Sequence, residues 1–159
     1  MNPTLNAELE KMIGKDGVLT TPEDLAVYSY DSTFEEHRPE AVVLPRSTEQ
    51  VSRVIKLAAR EGIPVVTRGM ASGLAAASVP FSGGITLCLT RMVRLLEIDE
   101  ANAIARVEAG MITADLQAAV EKKGLFYPPD PSSVRHSTIG GNIACNAGGP
   151  RCLKYGVTG

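Results

Sequence analysis

The segment from Ala41 to Thr67 limits the possible folds more than any other part of the chain. Two short apolar runs, Ala41-Val42-Val43-Leu44 closed by Pro45 and Ile63-Pro64-Val65-Val66-Thr67, flank an amphipathic stretch. Both runs have the length and branching of buried strands. Between them Ser47 is placed to cap a helix, with Gln50 returning the bond from the third helical position. Val51, Val54, Ile55, Ala58 and Ala59 share one face of that helix, and Gly62 ends it. Strand, helix and strand with short connections predict a parallel βαβ unit with a right-handed crossover.

The elements on either side fix the fold class. Leu5, Leu9, Met12 and Ile13 recur at helical spacing before Gly14 and Gly17, and Pro22 opens a second short helix with Glu23 and Asp24 in its first turn. A polar, irregular stretch from Asp31 to Arg38 leads into the first apolar run. Gly84-Ile85-Thr86-Leu87-Cys88-Leu89 reads as a third strand. The extended runs 95–99 and 104–108 form a hairpin, which adds antiparallel pairing. Thr113 is read as the cap of a helix with Leu116, Ala119 and Val120 inside and Gly124 at its end. The sum is an α+β fold, a small parallel βαβ subdomain followed by a mixed or antiparallel sheet with helices.

Composition removes several function classes. The chain has 159 residues, 44% hydrophobic, with 16 basic against 18 acidic side chains and 4% aromatics. That is the size of one domain with a real core, and it offers neither a basic field for phosphate backbones nor rings for stacking bases, so nucleic acid is excluded as a partner. The start, Met1-Asn2-Pro3-Thr4-Leu5, has no signal-peptide pattern, no apolar run reaches membrane-spanning length, and a cytoplasmic location follows. Cys88, Cys145 and Cys152 form no Cys-x-x-Cys pair and read as reduced thiols; no metal site is expected.

Two Gly-rich segments carry the candidate chemistry. Arg68-Gly69-Met70-Ala71-Ser72-Gly73-Leu74 follows a parallel strand, where backbone amides converge on phosphates in α/β folds. It is neither Gly-x-Gly-x-x-Gly nor a nucleoside-triphosphate loop, so phosphate binding and a plain turn both remain open. The second segment runs from Pro128-Pro129-Asp130-Pro131-Ser132-Ser133 through Thr138-Ile139-Gly140-Gly141-Asn142 to Asn146-Ala147-Gly148-Gly149. Here Gly140 to Ala144 would open a short helix whose free N–H groups face an anion. Two such segments suggest a diphosphate gripped from two sides. His136, which lies in this tract, could contact a bound cofactor or a substrate acid, but it reads more simply as an exposed loop residue. His37, Arg151 and Lys154 read as surface groups, and Cys145 and Cys152 as small packing residues. No general base stands out, so the catalytic residues are unknown at this point.

Arg38-Pro39-Glu40-Ala41-Val42-Val43-Leu44-Pro45, Thr67-Arg68-Gly69, Phe126-Tyr127-Pro128-Pro129-Asp130-Pro131-Ser132-Ser133, Thr138-Ile139-Gly140-Gly141-Asn142, Asn146-Ala147-Gly148-Gly149 and Leu153-Lys154-Tyr155-Gly156-Val157-Thr158 together carry a resemblance. From about Leu5 onward the chain resembles the FAD-linked oxidases of the vanillyl-alcohol-oxidase type, nearest to the group formed by the glycolate oxidase flavoprotein subunit and the D-lactate dehydrogenases. The resemblance implies a PCMH-type FAD-binding domain over residues 39–159, C-terminally incomplete, behind an N-terminal helical segment over 1–38. It implies that Arg68, Gly69, Ser72 and Gly73 face the FAD diphosphate. By the same resemblance Pro129, Asp130, Pro131 and Ser132 lie beside the flavin or ribityl chain, and Thr138, Gly140, Gly141, Asn142 and Gly149 surround diphosphate and ring. Ser72 stands where relatives with covalent flavin carry histidine, which implies noncovalent FAD.

The implied function is the FAD-binding portion of a flavin-dependent glycolate or D-lactate dehydrogenase, lacking the substrate domain and inactive alone. Its partners would be the remaining part of the flavoprotein or other glycolate oxidase subunits. The alternative is a non-catalytic truncated or split-gene piece that needs a second polypeptide to complete its fold. One departure stands out. The group reads Arg-Gly-x-Gly-Thr-Gly-Leu-Ser-Gly-Gly-Ala in the first loop, and this chain has Ala71, Ala76 and Ala77 where three of those glycines stand. A positive φ at any of them would cost on the order of 1 kcal/mol.

Overall fold

A computed structural model describes residues 2–158. The chain divides into two compact units, Met1–Arg91 and Met92–Gly159. In the first, helix α1 (Pro3–Ile13) is capped by the Asn2 side chain and leads through a 3-10 turn (Lys15–Gly17) to the two-residue strand β1 (Val18–Leu19). Then follow α2 (Pro22–Val27), β2 (Ala41–Val43), α3 (Thr48–Glu61), β3 (Val65–Arg68) and β4 (Ile85–Cys88).

The sheet order is β1-β2-β4-β3. β2 and β3 both run parallel to β4, with Ala41 and Val65 each opposite Ile85. The expected strand, helix and strand are present and parallel, but β2 and β3 do not pair, because β4 enters between them. β1, which the sequence did not signal, pairs antiparallel with β2. β4 is buried at all four positions. Ile85 and Leu87, with Val43, meet Leu9, Ile13, Val54 and Leu57 from α1 and α3, while Val42, Leu44 and Cys88 form a smaller cluster with Leu19, Leu25 and Tyr28.

β3 and β4 are adjacent parallel strands joined by residues 69–84 without a helix. Gly84 is where that connection re-enters the sheet. Its carbonyl accepts from Glu40 N and Ala41 N, and Pro64 O accepts from the next amide, Ile85 N. Its φ is +73°, and a Cβ there would run into the Pro64 carbonyl, so only glycine fits.

Helix α3 shows how local signals and tertiary contacts divide the work. Ser47 Oγ accepts from Gln50 N at 3.3 Å as expected, but Gln50 Oε1 takes its bond from Arg46 N at 2.7 Å, one residue before the cap. Gln50 Nε2 then reaches Met12 O at 3.3 Å and ties α3 to α1. The inner face is Val51, Val54, Leu57 and Ala58; Ile55 and Ala59, expected inside, are exposed.

In the second unit the hairpin is present as β5 (Leu95–Asp99) and β6 (Ile104–Val107), a two-stranded sheet with a bulge between Leu95 and Glu97. α4 (Thr113–Glu121), α5 (Ile139–Ala144) and α6 (Cys152–Tyr155) follow. Met111, Leu116, Val120 and Ile139 form the core, with Ile98, Ala105 and Val107 packed on it. Thr113 is not the helix cap. Ile112 holds that position without a side-chain bond, and Thr113 is fully buried, donating from Oγ1 to Ser137 O at 3.0 Å. Glu108 accepts from Arg94 N (2.9 Å), Nε (3.0 Å) and Nη2 (2.7 Å) and is itself 8% exposed.

Replacing Leu87 by Ala is expected to lower the unfolding free energy by about 2–5 kcal/mol in urea titrations, since the central strand cannot collapse around the cavity. Bonds from the Arg94 guanidinium and backbone hold the Glu108 carboxyl below its ordinary 4.5. The stability this adds is therefore complete above that value and lost as pH falls through the lowered one. A Glu108→Gln variant should melt below the parent near neutral pH, with the gap closing as pH falls through the lowered carboxyl pKa.

Candidate functional site

Within the first unit, the Gly-rich loop leaves the sheet at Arg68, the last residue of β3. The guanidinium turns back rather than into the loop: Nη1 donates to Tyr28 O at 3.1 Å and Tyr30 O at 3.0 Å, and the group lies 5.1 Å from the Tyr28 ring centre. Burial pushes its pKa down, and its Nε is buried without a partner. Ala71 and Ala76 both adopt the left-handed conformation, at φ 54° and 52°, whereas Ala77 does not. The loop thus keeps a glycine-type backbone at two of the three positions where alanine stands, and each Cβ is strained. Ser72 is half-buried, and Gly73 is open, with nothing within 4 Å of where its Cβ would lie.

The same loop is tied to a segment that the sequence left as an irregular stretch. Asp31 is buried, and its Oδ1 accepts from Thr33 N at 2.9 Å and Thr33 Oγ1 at 2.6 Å. Its Oδ2 accepts from Ser78 Oγ at 3.3 Å, and Ser32 Oγ donates to Ala71 O at 3.3 Å. No spacing rule marks these residues as loop supports, because their partners lie 39 and 47 positions away.

Within the second unit, the segments 130–134 and 147–150 wall an open recess of about 620 Å³, lined by Asp130, Pro131, Ser132 and Val134 on one side and Ala147 to Pro150 on the other. The walls are pinned by backbone. Asp130 N donates to Gly148 O at 3.0 Å, and Gly149, at φ 132°, sits so close that a Cβ would strike the Asp130 carbonyl. Gln117 Nε2 donates to Pro129 O at 2.9 Å, and Thr158 closes the other end with both N and Oγ1 on Ala147 O at 2.8 Å. Arg151 pairs with Asp130 at 3.5 Å and lies over the Phe126 ring.

α5 departs from its expected role. Ile139 N donates to Met111 O, Gly140 N to Ala109 O, both at 2.8 Å, and Gly141 N to Thr138 Oγ1 at 3.2 Å. The N–H groups read as free for an anion are thus already paired inside the protein. Gly140 is small because Ala109 packs at 2.9 Å from its would-be Cβ. Asn142 is buried and donates to Thr113 Oγ1 at 2.8 Å, so Thr113, Ser137 and Asn142 form one internal network that fixes α5, whose first turn Thr138 caps. Of the residues singled out in this tract, Asp130, Pro131, Ser132 and Gly149 line the recess, while Pro129, Thr138, Gly140, Gly141 and Asn142 do not, and the last four belong to α5 and its cap. His136 is exposed. Among the described residues, no helix is long and apolar enough to cross a membrane, and no three His, Cys, Asp or Glu side chains are grouped to hold a metal.

Comparison with known proteins places this architecture. The family described as the FAD binding domain matches residues 39–159. The chain is 50% identical over 133 residues to glycolate oxidase subunit GlcD of Bacillus subtilis (strain 168), covering 83% of this chain. It is 40% identical over 138 residues to D-lactate dehydrogenase of Anaerostipes hadrus, covering 87% of this chain. In both cases it spans 28% of the relative's own length. Among solved structures, alkyldihydroxyacetonephosphate synthase superimposes with a TM-score of 0.90 at 23% identity, covering 99% of this chain and 31% of that one, and so shares the fold.

Since Ala71 and Ala76 are held left-handed, Ala71→Gly and Ala76→Gly are each expected to raise the unfolding free energy by about 1 kcal/mol. Thermal and urea melts of the single and double variants check this, with Ala77→Gly, which has no strain to relieve, falling or staying level.

Proposed function

The chain belongs to the FAD-binding domain family, and from that premise we propose that it is the FAD-binding portion of a flavin-dependent dehydrogenase for 2-hydroxy acids of the glycolate and D-lactate type. The observation that carries this reading is the recess walled by 130–134 and 147–150. Its small, mixed lining leaves room for a planar ligand, and glycine is obligatory where its walls meet. The residues present fit the cofactor: the second tract offers that recess, and the first loop keeps a glycine-type backbone despite its alanines. Bound FAD would supply a two-electron acceptor for a hydride from the α-carbon of the acid.

The chain's own residues would bind and orient. Gly69, Ser72 and Gly73, with Arg68 anchoring the loop's start, would contact the diphosphate. Pro129, Asp130, Pro131 and Ser132 would lie along the flavin and ribityl chain, and Gly141 and Gly149 beside diphosphate and ring. Thr138, Gly140 and Asn142 would act from behind, by holding α5 in place. Ser72, in the place where covalent relatives have histidine, supports noncovalent attachment. The three free thiols, Cys88, Cys145 and Cys152, accord with a reducing, cytoplasmic compartment. The residues that take the hydroxyl proton and clamp the carboxylate would come from elsewhere in the complete enzyme, in the same flavoprotein or a partner subunit.

A second reading, a non-catalytic piece that depends on another polypeptide, is favoured by the strain at Ala71 and Ala76. The two separate on one experiment. The purified chain, incubated with FAD and desalted, is expected to retain flavin absorbance close to one equivalent, and acid precipitation should release all of it into solution. A colourless protein supports the second reading, and colour that stays in the pellet overturns noncovalent binding. Neither glycolate nor D-lactate is expected to reduce a dye acceptor with this chain alone.

A further inference from the structure

The left-handed alanines lie inside a loop held at three points by one short segment. At the loop's start, Arg68 donates to the carbonyls of Tyr28 and Tyr30. At Ala71 the carbonyl accepts from Ser32, and at its far side Ser78 donates to the buried Asp31 carboxylate. Ala71 and Ala76 both fall within this span. A non-glycine residue at positive φ persists only where surrounding contacts over-determine it, and a buried carboxylate persists where hydrogen bonds compensate it. Here the two requirements share one bond, Ser78 to Asp31, while Thr33 satisfies the other carboxylate oxygen from within the segment.

We propose that Tyr28–Thr33 is a strap that positions the loop 68–78 for FAD, with Asp31 as its central positioning residue, an inference that rests on the FAD reading above. The strap offsets the cost of alanine at two positions of positive φ. Without it, the loop spends most of its time in other conformations, and apparent affinity falls by the fraction of binding-competent loop that is lost.

Hydrogen exchange and FAD titration by fluorescence quenching on the full 159-residue chain test this. Asp31→Ala is expected to speed exchange of the Val79 amide, which is bonded to the Ala76 carbonyl, in the FAD-free protein and to weaken FAD binding roughly tenfold. In an Ala71→Gly/Ala76→Gly background, where positive φ carries no steric cost, the same substitution should weaken binding by only about threefold or less. Equal losses in both backgrounds would mean that Asp31 merely supports the fold, and unchanged exchange at the Val79 amide would also overturn the strap. Ser32→Ala, which removes only the bond to the Ala71 carbonyl, is a milder variant expected to move both readouts in the same direction even if Asp31→Ala unfolds. A wild-type chain that takes up no FAD refutes the cofactor reading, and the exchange data then decide the strap by themselves.

Discussion

The first unit depends on the insertion of β4 between β2 and β3. Adjacent parallel strands cannot be joined by a tight turn, so β3 reaches β4 only through a long return connection, and here that connection carries no helix. Everything the loop shows follows from this path. It must leave at Arg68, travel back along the sheet, and re-enter at Gly84, where the backbones of Glu40, Pro64 and Gly84 meet with no room for a side chain. Small residues suit such a route, because the chain has few regular hydrogen bonds of its own and must lie against what it passes. The same insertion gives β4 its burial at all four positions.

Strain and support are matched locally. Two alanines at positive φ would, in an unsupported loop, shift the population toward extended or right-handed alternatives. The contacts from Ser32 and Asp31 lie on either side of them, and Arg68, half-buried at the loop's start, turns Nη1 to two carbonyls of the same supporting segment. In the second unit the support is of another kind: a buried hydroxyl and amide network, Thr113, Ser137 and Asn142, fixes α5, and backbone bonds close the recess.

Much of this was legible from the residues, and the gaps have a common cause. Strands 41–43, 65–68 and 85–88, helix 48–61 and the hairpin were marked by apolar period, caps and turn residues, all local signals. The glycine pairs of the second tract stand out by composition alone, and a positive φ at Ala71 or Ala76 was foreseen as a risk. Pairing was not legible: nothing within 41–67 says that a strand further along the chain will separate the two runs. β1 was missed because two residues make no period. Leu57 took the inner position assigned to Ile55 because the helix turns its stripe toward α1, which only the packed unit defines. Thr113 passed for a cap, and the amides of α5 passed for free, because their partners, Ser137, Met111 and Ala109, are distant in sequence or carry no pattern. Asp31 was overlooked for the same reason.

The recess owes its shape to main-chain contacts above all: Asp130 N on Gly148 O, the close approach at Gly149, and Thr158 on the Ala147 carbonyl. Side chains such as Ser132, Val134, Ala147 and Pro150 merely face into it. Frame and lining are thereby separable. Selection, or a protein engineer, can exchange the lining residues to retune polarity and shape without repacking a core, while the glycine and the carbonyls that set the frame admit almost no variation. A site built this way can change what it favours over evolutionary time and still keep its outline.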